Sequence, residues 1–204
     1  APDFTLPTDG GSSVTLSGSL IVVGAPEDDT GASNAGSAYV YDINSATPDV
    51  PVHTLINPSP STGDEFGANV AISGQKIIVG ARGDGTGAAS TGIAYVFDLG
   101  GATPTMPVHV LTNPTPTNNE QFGSAVTLDG NRIVVAAKSA SVGAIARAGS
   151  IYEYDLASAT PTTPVRTIDH PSPTFNDAFG ASLSLAGSRV VVGVSGNDTG
   201  ATDA

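Results

Sequence analysis

One segment of the chain is written four times. Residues 21–25 read IVVGA, 77–81 IIVGA, 133–137 IVVAA and 190–194 VVVGV, at spacings of 56, 56 and 57. The flanking phrases keep the interval: AYVYD at 38–42, AYVFD at 94–98 and IYEYD at 151–155. Phe-Gly recurs at 66–67, 122–123 and 179–180. A fixed period of this length signals an array of like supersecondary units that bury their apolar faces against one another. Residues that recur in phase serve the scaffold, so a functional group should stand out as a departure from the repeat.

The second unit shows what each copy folds into. FGANVAIS (66–73) alternates through Val70 and Ile72, the period-2 pattern of a half-buried strand. A tight turn at Ser73-Gly74-Gln75-Lys76 follows, and its glycine recurs at 18, 130 and 187, as a turn needing positive φ predicts. KIIVGA (76–81) is a continuous apolar run, which fits a strand buried on both faces. A Gly-rich loop over 82–92 leads to the alternating IAYVFDL (93–99). GGATPTMP then leads to VHVLT (108–112) before Asn113-Pro114 breaks the chain. Proline lacks a ladder donor, so this last run belongs at an outer edge. No helical periodicity appears.

Four short antiparallel strands per unit, repeated radially, predict an all-β fold, a β-propeller of four-stranded blades. A period of 56 in 204 residues makes about 3.6 blades. The expected organisation is one propeller segment over 1–204, with repeats at 1–56, 57–112, 113–169 and 170–204, the last incomplete. Ala204 aligns with Ala35, ahead of the third strand of its unit. The expectation is an incomplete ring, or part of a larger, seven-bladed propeller in a longer chain. Pairing of two copies is the alternative, since twice 3.6 is close to seven.

In order and in register, the FG, GA and YVYD elements resemble the FG-GAP repeat, the blade of integrin-α-type propellers. The resemblance covers the whole chain and implies an extracellular or cell-surface module for protein recognition, adhesion or structural assembly. No enzyme activity is expected of this segment and no cofactor, with calcium the one possible exception. Two departures stand out: Gly10 occupies the Phe position of the first copy, and the third copy has Ala136-Ala137 for Gly-Ala. Many members of the family carry a calcium loop between the first two strands. Here that place holds only SGSL, SGQK, DGNR or AGSR. Asp129 alone cannot supply a six-to-eight-oxygen shell, so the family's calcium function does not carry over.

Charge and composition narrow the partners. Nineteen Asp+Glu against seven Lys+Arg give a net charge of −12, which disfavours nucleic acid and anionic membrane surfaces. No run approaches the length of a membrane span. The absence of cysteine removes disulfides, thiolate catalysis and Cys-ligated zinc together. The expected partners are another protein, or additional blades of the same or another chain, including a homo-oligomer.

The loop between the second and third strands is the most polar place in the repeat. It reads PEDDTGASNAG (26–36), RGDGTGAASTG (82–92) and SGNDTGATDA (195–204), whereas the third copy reads KSASVGAIARAG (138–149). Asp28, Asp29, Asp84 and Asp198 are candidate ligands for a hard cation such as calcium. Asp, Asn and Gly also build turns unaided, through side-chain to backbone bonds and positive φ. The third copy manages without the carboxylates, which favours the turn. Arg82-Gly83-Asp84 spells the tripeptide that integrins recognise, on a predicted exposed loop.

His53 and His109 fall in phase on the outer strand, and His170 replaces the Asn that precedes Pro in the other copies. No Ser-His-Asp pattern is present. Asp64-Glu65 and Asp177 precede the Phe-Gly element, as turn residues would. Nine of eleven aromatics recur in phase, which leaves few to stack on sugars. The function expected is a non-catalytic recognition module. The alternatives are the propeller portion of a larger secreted enzyme, or a subunit that assembles through blade edges.

Overall fold

The computed structural model describes residues 11–85 and 89–196. Strands β1 (Ser13–Ser17), β2 (Leu20–Ala25), β3 (Ser37–Asp42) and β4 (His53–Ile56) form one antiparallel sheet in chain order. The second sheet comprises β5 (Phe66–Ser73), β6 (Lys76–Ala81), β7 (Ile93–Asp98) and β8 (His109–Thr112). The third comprises β9 (Phe122–Asp129), β10 (Arg132–Ala137), β11 (Ser150–Asp155) and β12 (Arg166–Asp169). A fourth sheet pairs β13 (Phe179–Ala186) with β14 (Arg189–Val194). The described residues contain no helix. Four-stranded antiparallel sheets stacked in sequence are propeller blades, and fourteen strands make about 3.5 of them.

Within each blade the turn chemistry sets the register. Ser17 pairs with Leu20, Ser73 with Lys76, Asp129 with Arg132 and Ala186 with Arg189. Each pair encloses two residues, the first a glycine with φ between 55° and 61°. Positive φ at the first turn residue alone is a type II′ hairpin, whose twist matches the strands it joins.

The Phe-Gly dipeptide is a bulge rather than plain strand. Phe66 pairs with Ala81 but the next partner of β6 is Asn69, and the same two-residue skip follows Phe179. Gly67, Gly123 and Gly180 sit there with φ of 92°, 84° and 92°. The bulge turns the start of the inner strand toward the preceding blade.

Blades stack through one repeated junction. The rear face of the first blade (Val22, Ala38, Val40, Leu55) meets the front face of the second (Phe66, Val70, Ile72, Val79, Phe97), and all of these are buried. The second blade's Ile78, Ala94, Val96 and Leu111 meet Phe122, Val126, Leu128 and Tyr154 of the third in the same way. The third blade's Val134, Ala136 and Ile151 meet Phe179, Leu183 and Val192 of the fourth. Phe66 makes an edge-to-face contact with Phe97 at 6.1 Å, and Phe122 repeats it with Tyr154 at 6.5 Å.

At these junctions backbone meets backbone. A Cβ on Gly24 would run into the carbonyl oxygen of Gly67, and one on Gly80 into that of Gly123. Gly36, Gly92 and Gly149, at φ of 84–92°, lie equally close to the backbone of Phe66, Phe122 and Phe179. Main-chain bonds stitch the same place: Phe66 N donates to Ala35 O, Phe122 N to Thr91 O and Phe179 N to Ala148 O, at 2.8–3.0 Å. At the opposite end, Ser17 Oγ accepts from Gly74 N, Ser73 Oγ from Gly130 N and Asp129 Oδ2 from Gly187 N. Asp129 is thus the in-phase replacement of a serine that caps the next blade's hairpin.

The two ends of the arc expose the two halves of this junction. Val14 and Leu16 of β1 are 70% and 61% exposed, whereas their counterparts Val70 and Ile72 are buried against the blade before them. Val191 of β14 is 69% exposed, whereas Val22, Ile78 and Val134 at the same position are buried.

Replacing Gly92 by alanine tests the junction, because the new Cβ meets both an unfavourable φ and the backbone of Phe122. Gly92→Ala is expected to cost about 2–3 kcal/mol in urea unfolding. Gly130→Ala, with the same sign of φ but open space around its Cβ, is expected to cost less.

Candidate functional site

Antiparallel strands place successive connections at alternate ends of a blade. The loops from second to third strand and the linkers from fourth strand to next blade therefore share one rim, here termed the upper rim. They are bonded to each other: Gly63 N donates to Ser33 O, Glu65 N to Asn34 O, and Asn119 N to Ala89 O.

The linkers are built around a recurring pair seven residues apart. Asn57 Nδ2 donates to Asp64 Oδ2 at 2.8 Å, and Asn57 Oδ1 accepts from Ser59 N at 3.0 Å. Asn113 does the same with Glu120 and Thr115 N. His170 occupies this place in the third linker. Its Nδ1 accepts from Ser172 N at 3.2 Å and lies 3.7 Å from Asp177 Oδ2. His170, which the sequence set apart, is a third version of the Asn latch, packed edge-on against Phe179. The latch acids are buried. Burial, reinforced by the nearby Asp84, pushes the Asp64 carboxyl up. The Thr174 hydroxyl holds Asp177 down against its burial, with help from His170.

The candidate cation ligands are parts of turns. Asp28 is buried, with Oδ1 accepting from Thr30 N at 2.8 Å and Oδ2 from the Tyr39 hydroxyl. Burial pushes its carboxyl up, but hydrogen bonds led by Thr30 and Tyr39 outweigh that and leave it below the ordinary range. Burial and the Asp28 carboxylate together push the Tyr39 phenol up to about 12. Asp84 accepts from the Tyr95 hydroxyl at 3.2 Å, the same bond one blade later. Asp29 is exposed and accepts from Asn34 N at 2.8 Å. Asp198 lies outside the described residues. Among the described residues no three His, Asp or Glu side chains gather as a metal centre would require.

Arg82-Gly83-Asp84 is not displayed as the sequence suggested. Asp84 is 3% exposed and held by Tyr95. A Cβ at Gly83 would meet the carbonyl of Gly63, and Arg82 pairs with Glu65. The loop folds inward because Asp84 works for the blade.

The third blade's loop differs. Ala140 stands where Asp28 and Asp84 stand, and the loop closes on itself through a bridge between Val142 and Ile145. Its main chain keeps the stitch: Asn176 N donates to Ala146 O and Ala178 N to Arg147 O. Beside it lies a cleft of about 470 Å³ lined by Asn119, Gln121, Ser139 and Arg147. Residues 138 and 147 are both cationic, a feature reported by neither neighbouring loop.

Stacked blades with a main-chain-stitched rim define a β-propeller repeat protein. Residues 10–41 and 52–97 match the FG-GAP repeat. The computationally designed Ika4 protein is similar in structure at a TM-score of 0.58 and 16% identity, over 94% of this chain and 89% of that one. The computationally designed Ika8 protein is similar at a TM-score of 0.54 and 15% identity, over 90% of this chain. This chain covers only 42% of Ika8. At such identities the likeness concerns the fold alone. No curated protein matches.

The latch gives a pH prediction. Asp177→Asn is expected to lower the melting temperature at neutral pH. The deficit should narrow as the pH falls below about 4, where the wild-type carboxylate protonates and loses the stability its lowered pKa had supplied. His170→Asn should melt within a few degrees of wild type, because Asn supplies the same acceptor to Ser172 N. His170→Ala should lose about 1–2 kcal/mol. Scanning calorimetry across pH checks all three.

Proposed function

We propose that the chain is a non-catalytic protein-recognition module that works outside the cell or at its surface, with the upper rim as its contact face. One observation carries this reading: in-phase polar residues are consumed by latches and turns, while the third rim loop departs from the repeat. A rigid stack holding variable loops at one face is how scaffolds present binding residues. The acidic surface suits a protein that must stay soluble without adhering to polyanions. Adhesion or structural assembly is the finer role this supports. No cofactor is needed for it, and each Asp28 oxygen already accepts one hydrogen bond, from Thr30 N and from the Tyr39 hydroxyl.

The exposed junction halves extend the reading. Val14 and Leu16 at one end, and Val191 at the other, fit a blade of the same repeat, supplied by additional blades of the same or another chain, a second copy included. The three internal junctions are the pattern for that contact.

Replacing 138–149 by the second-blade loop 82–92 should abolish capture of surface proteins by the immobilised chain. Replacing the opposite-end loop 99–108 should not. Loss with the second exchange, or with neither, would sink the rim assignment. For the ends, light scattering should show mass rising with concentration, and Val14→Asp with Leu16→Asp should hold the chain monomeric. A wild type that stays monomeric at all concentrations refutes that contact. The melting temperature should be unchanged by millimolar calcium or by a chelator.

A further inference from the structure

We propose that the third blade's upper rim is a carboxylate-binding site, formed by Lys138 and Arg147 beside the Gln121–Ser139 cleft, that takes an acidic segment of a partner protein. The inference rests on the recognition reading above and gives its contact a chemistry.

Of seven Lys and Arg in the chain, Arg82, Lys138 and Arg147 gather at this rim. Arg82 is neutralised by Glu65. Among the described residues neither Lys138 nor Arg147 forms a salt bridge, and the Glu65 carboxylate that pairs with Arg82 also acts on Lys138. In a chain of net charge −12, three cations gathered around the one Glu65 carboxylate leave this rim locally positive. Burial, with Arg82 and Arg147 nearby, holds the Lys138 ammonium below its ordinary pKa, so their proximity costs the free protein something. An arriving anion removes that cost.

The blade does not need these residues. Position 138 is Pro26 in the first copy, Arg82 in the second and Ser195 in the fourth. Position 147 corresponds to Asn34 and Ser90, and all three have positive φ, between 48° and 57°. Asn tolerates that conformation readily, whereas Arg is a costlier choice. The third blade has also lost the acid of its neighbours, with Ala140 where Asp28 and Asp84 stand. The third loop thus drops the carboxylate of its neighbours, keeps the cation that the second copy has at Arg82, and adds Arg147 at a strained position beside a cleft.

The cleft suits a carboxylate. Arg147, on its wall, offers a planar fork that grips a carboxylate through two parallel bonds. Lys138 adds a point charge one residue before Ser139. Ser139 Oγ donates to Gln121 Oε1 at 3.3 Å, which leaves the Gln121 amide hydrogens to donate to a ligand. The polar walls and open mouth fit a side chain presented on a segment, with the rest of the partner lying across the rim.

The test uses the isotope-labelled chain, titrated with a peptide of three consecutive glutamates, its glutamine counterpart and inorganic phosphate, followed by amide shifts. The glutamate peptide should move Gln121, Ser139 and Arg147, more weakly as salt rises. Lys138→Gln with Arg147→Gln should weaken it about tenfold or more, with an unchanged melting curve. Lys76→Gln with Arg166→Gln, the same charge change elsewhere, should leave it intact. Equal shifts from the glutamine peptide, or binding that survives the first double variant, overturn the proposal. Phosphate bound more tightly than the glutamate peptide overturns the assignment to a protein carboxylate. If the peptide fails while the loop exchange still abolishes partner capture, only this inference falls. If the peptide binds as described while the loop exchange changes nothing, the carboxylate site stands and the recognition reading falls.

Discussion

The structure depends on how closely one blade's backbone can approach the next. Gly24 and Gly80 face the bulge carbonyls of Gly67 and Gly123 with no room for a Cβ between them. That proximity lets Phe66 N and Phe122 N reach Ala35 O and Thr91 O. It also seats the phenylalanines fully within the junction. Removing a buried Phe side chain costs about 3–5 kcal/mol, against about 1 for a single latch hydrogen bond. The apolar junction therefore supplies most of the adhesion between blades, and the latches and stitches set its register. The third junction shows some tolerance, since Ala136 fills the Gly24 position and its Cβ lies against Gly180.

Strands and turns were legible in the sequence because the alternation is clean and the hairpin glycine recurs in phase at 18, 74, 130 and 187. The Phe-Gly bulge was not legible, for a definite reason. It inserts two residues, Gly67 and Ala68, between Phe66 and Asn69 in the pairing with β6. A two-residue insertion preserves the parity of side chains, so Phe66 stays on the face of Val70 and Ile72. The alternation reads as unbroken straight through it.

Polar residues were harder to read. The latch is a spacing of seven residues, present at 57–64, 113–120 and 170–177. Its chemistry changes from Asn–Asp to Asn–Glu to His–Asp, so identity at single positions hides it. Asp129, the one carboxylate at the place of the family's calcium loop, does the work of Ser17 and Ser73 on the next hairpin. The Arg-Gly-Asp tripeptide misled in the opposite direction, because sequence carries no sign that Tyr95 draws Asp84 inward.

The third loop shows why such a scaffold can acquire a site at all. Every bond that ties this loop to the fourth blade is made by main chain, from Asn176, Ala178 and Phe179 N to Ala146, Arg147 and Ala148 O. The exposed side chains at 146 and 147 are therefore free of the scaffold in one respect: the stitch survives any residue that accepts the local φ. The same holds for Ala140, whose N and O keep the bonds to Ala137 and Gly149 after the aspartate is lost. A junction held by glycines and main-chain bonds separates what the blade requires from what the rim displays. The Gly149 N to Ala140 O bond, the counterpart of Gly36 to Asp28 and Gly92 to Asp84, then brings position 147 back toward 138, across nine residues of sequence. Neither cation alone departs far from the repeat. Their juxtaposition does, and it exists only once the loop has closed.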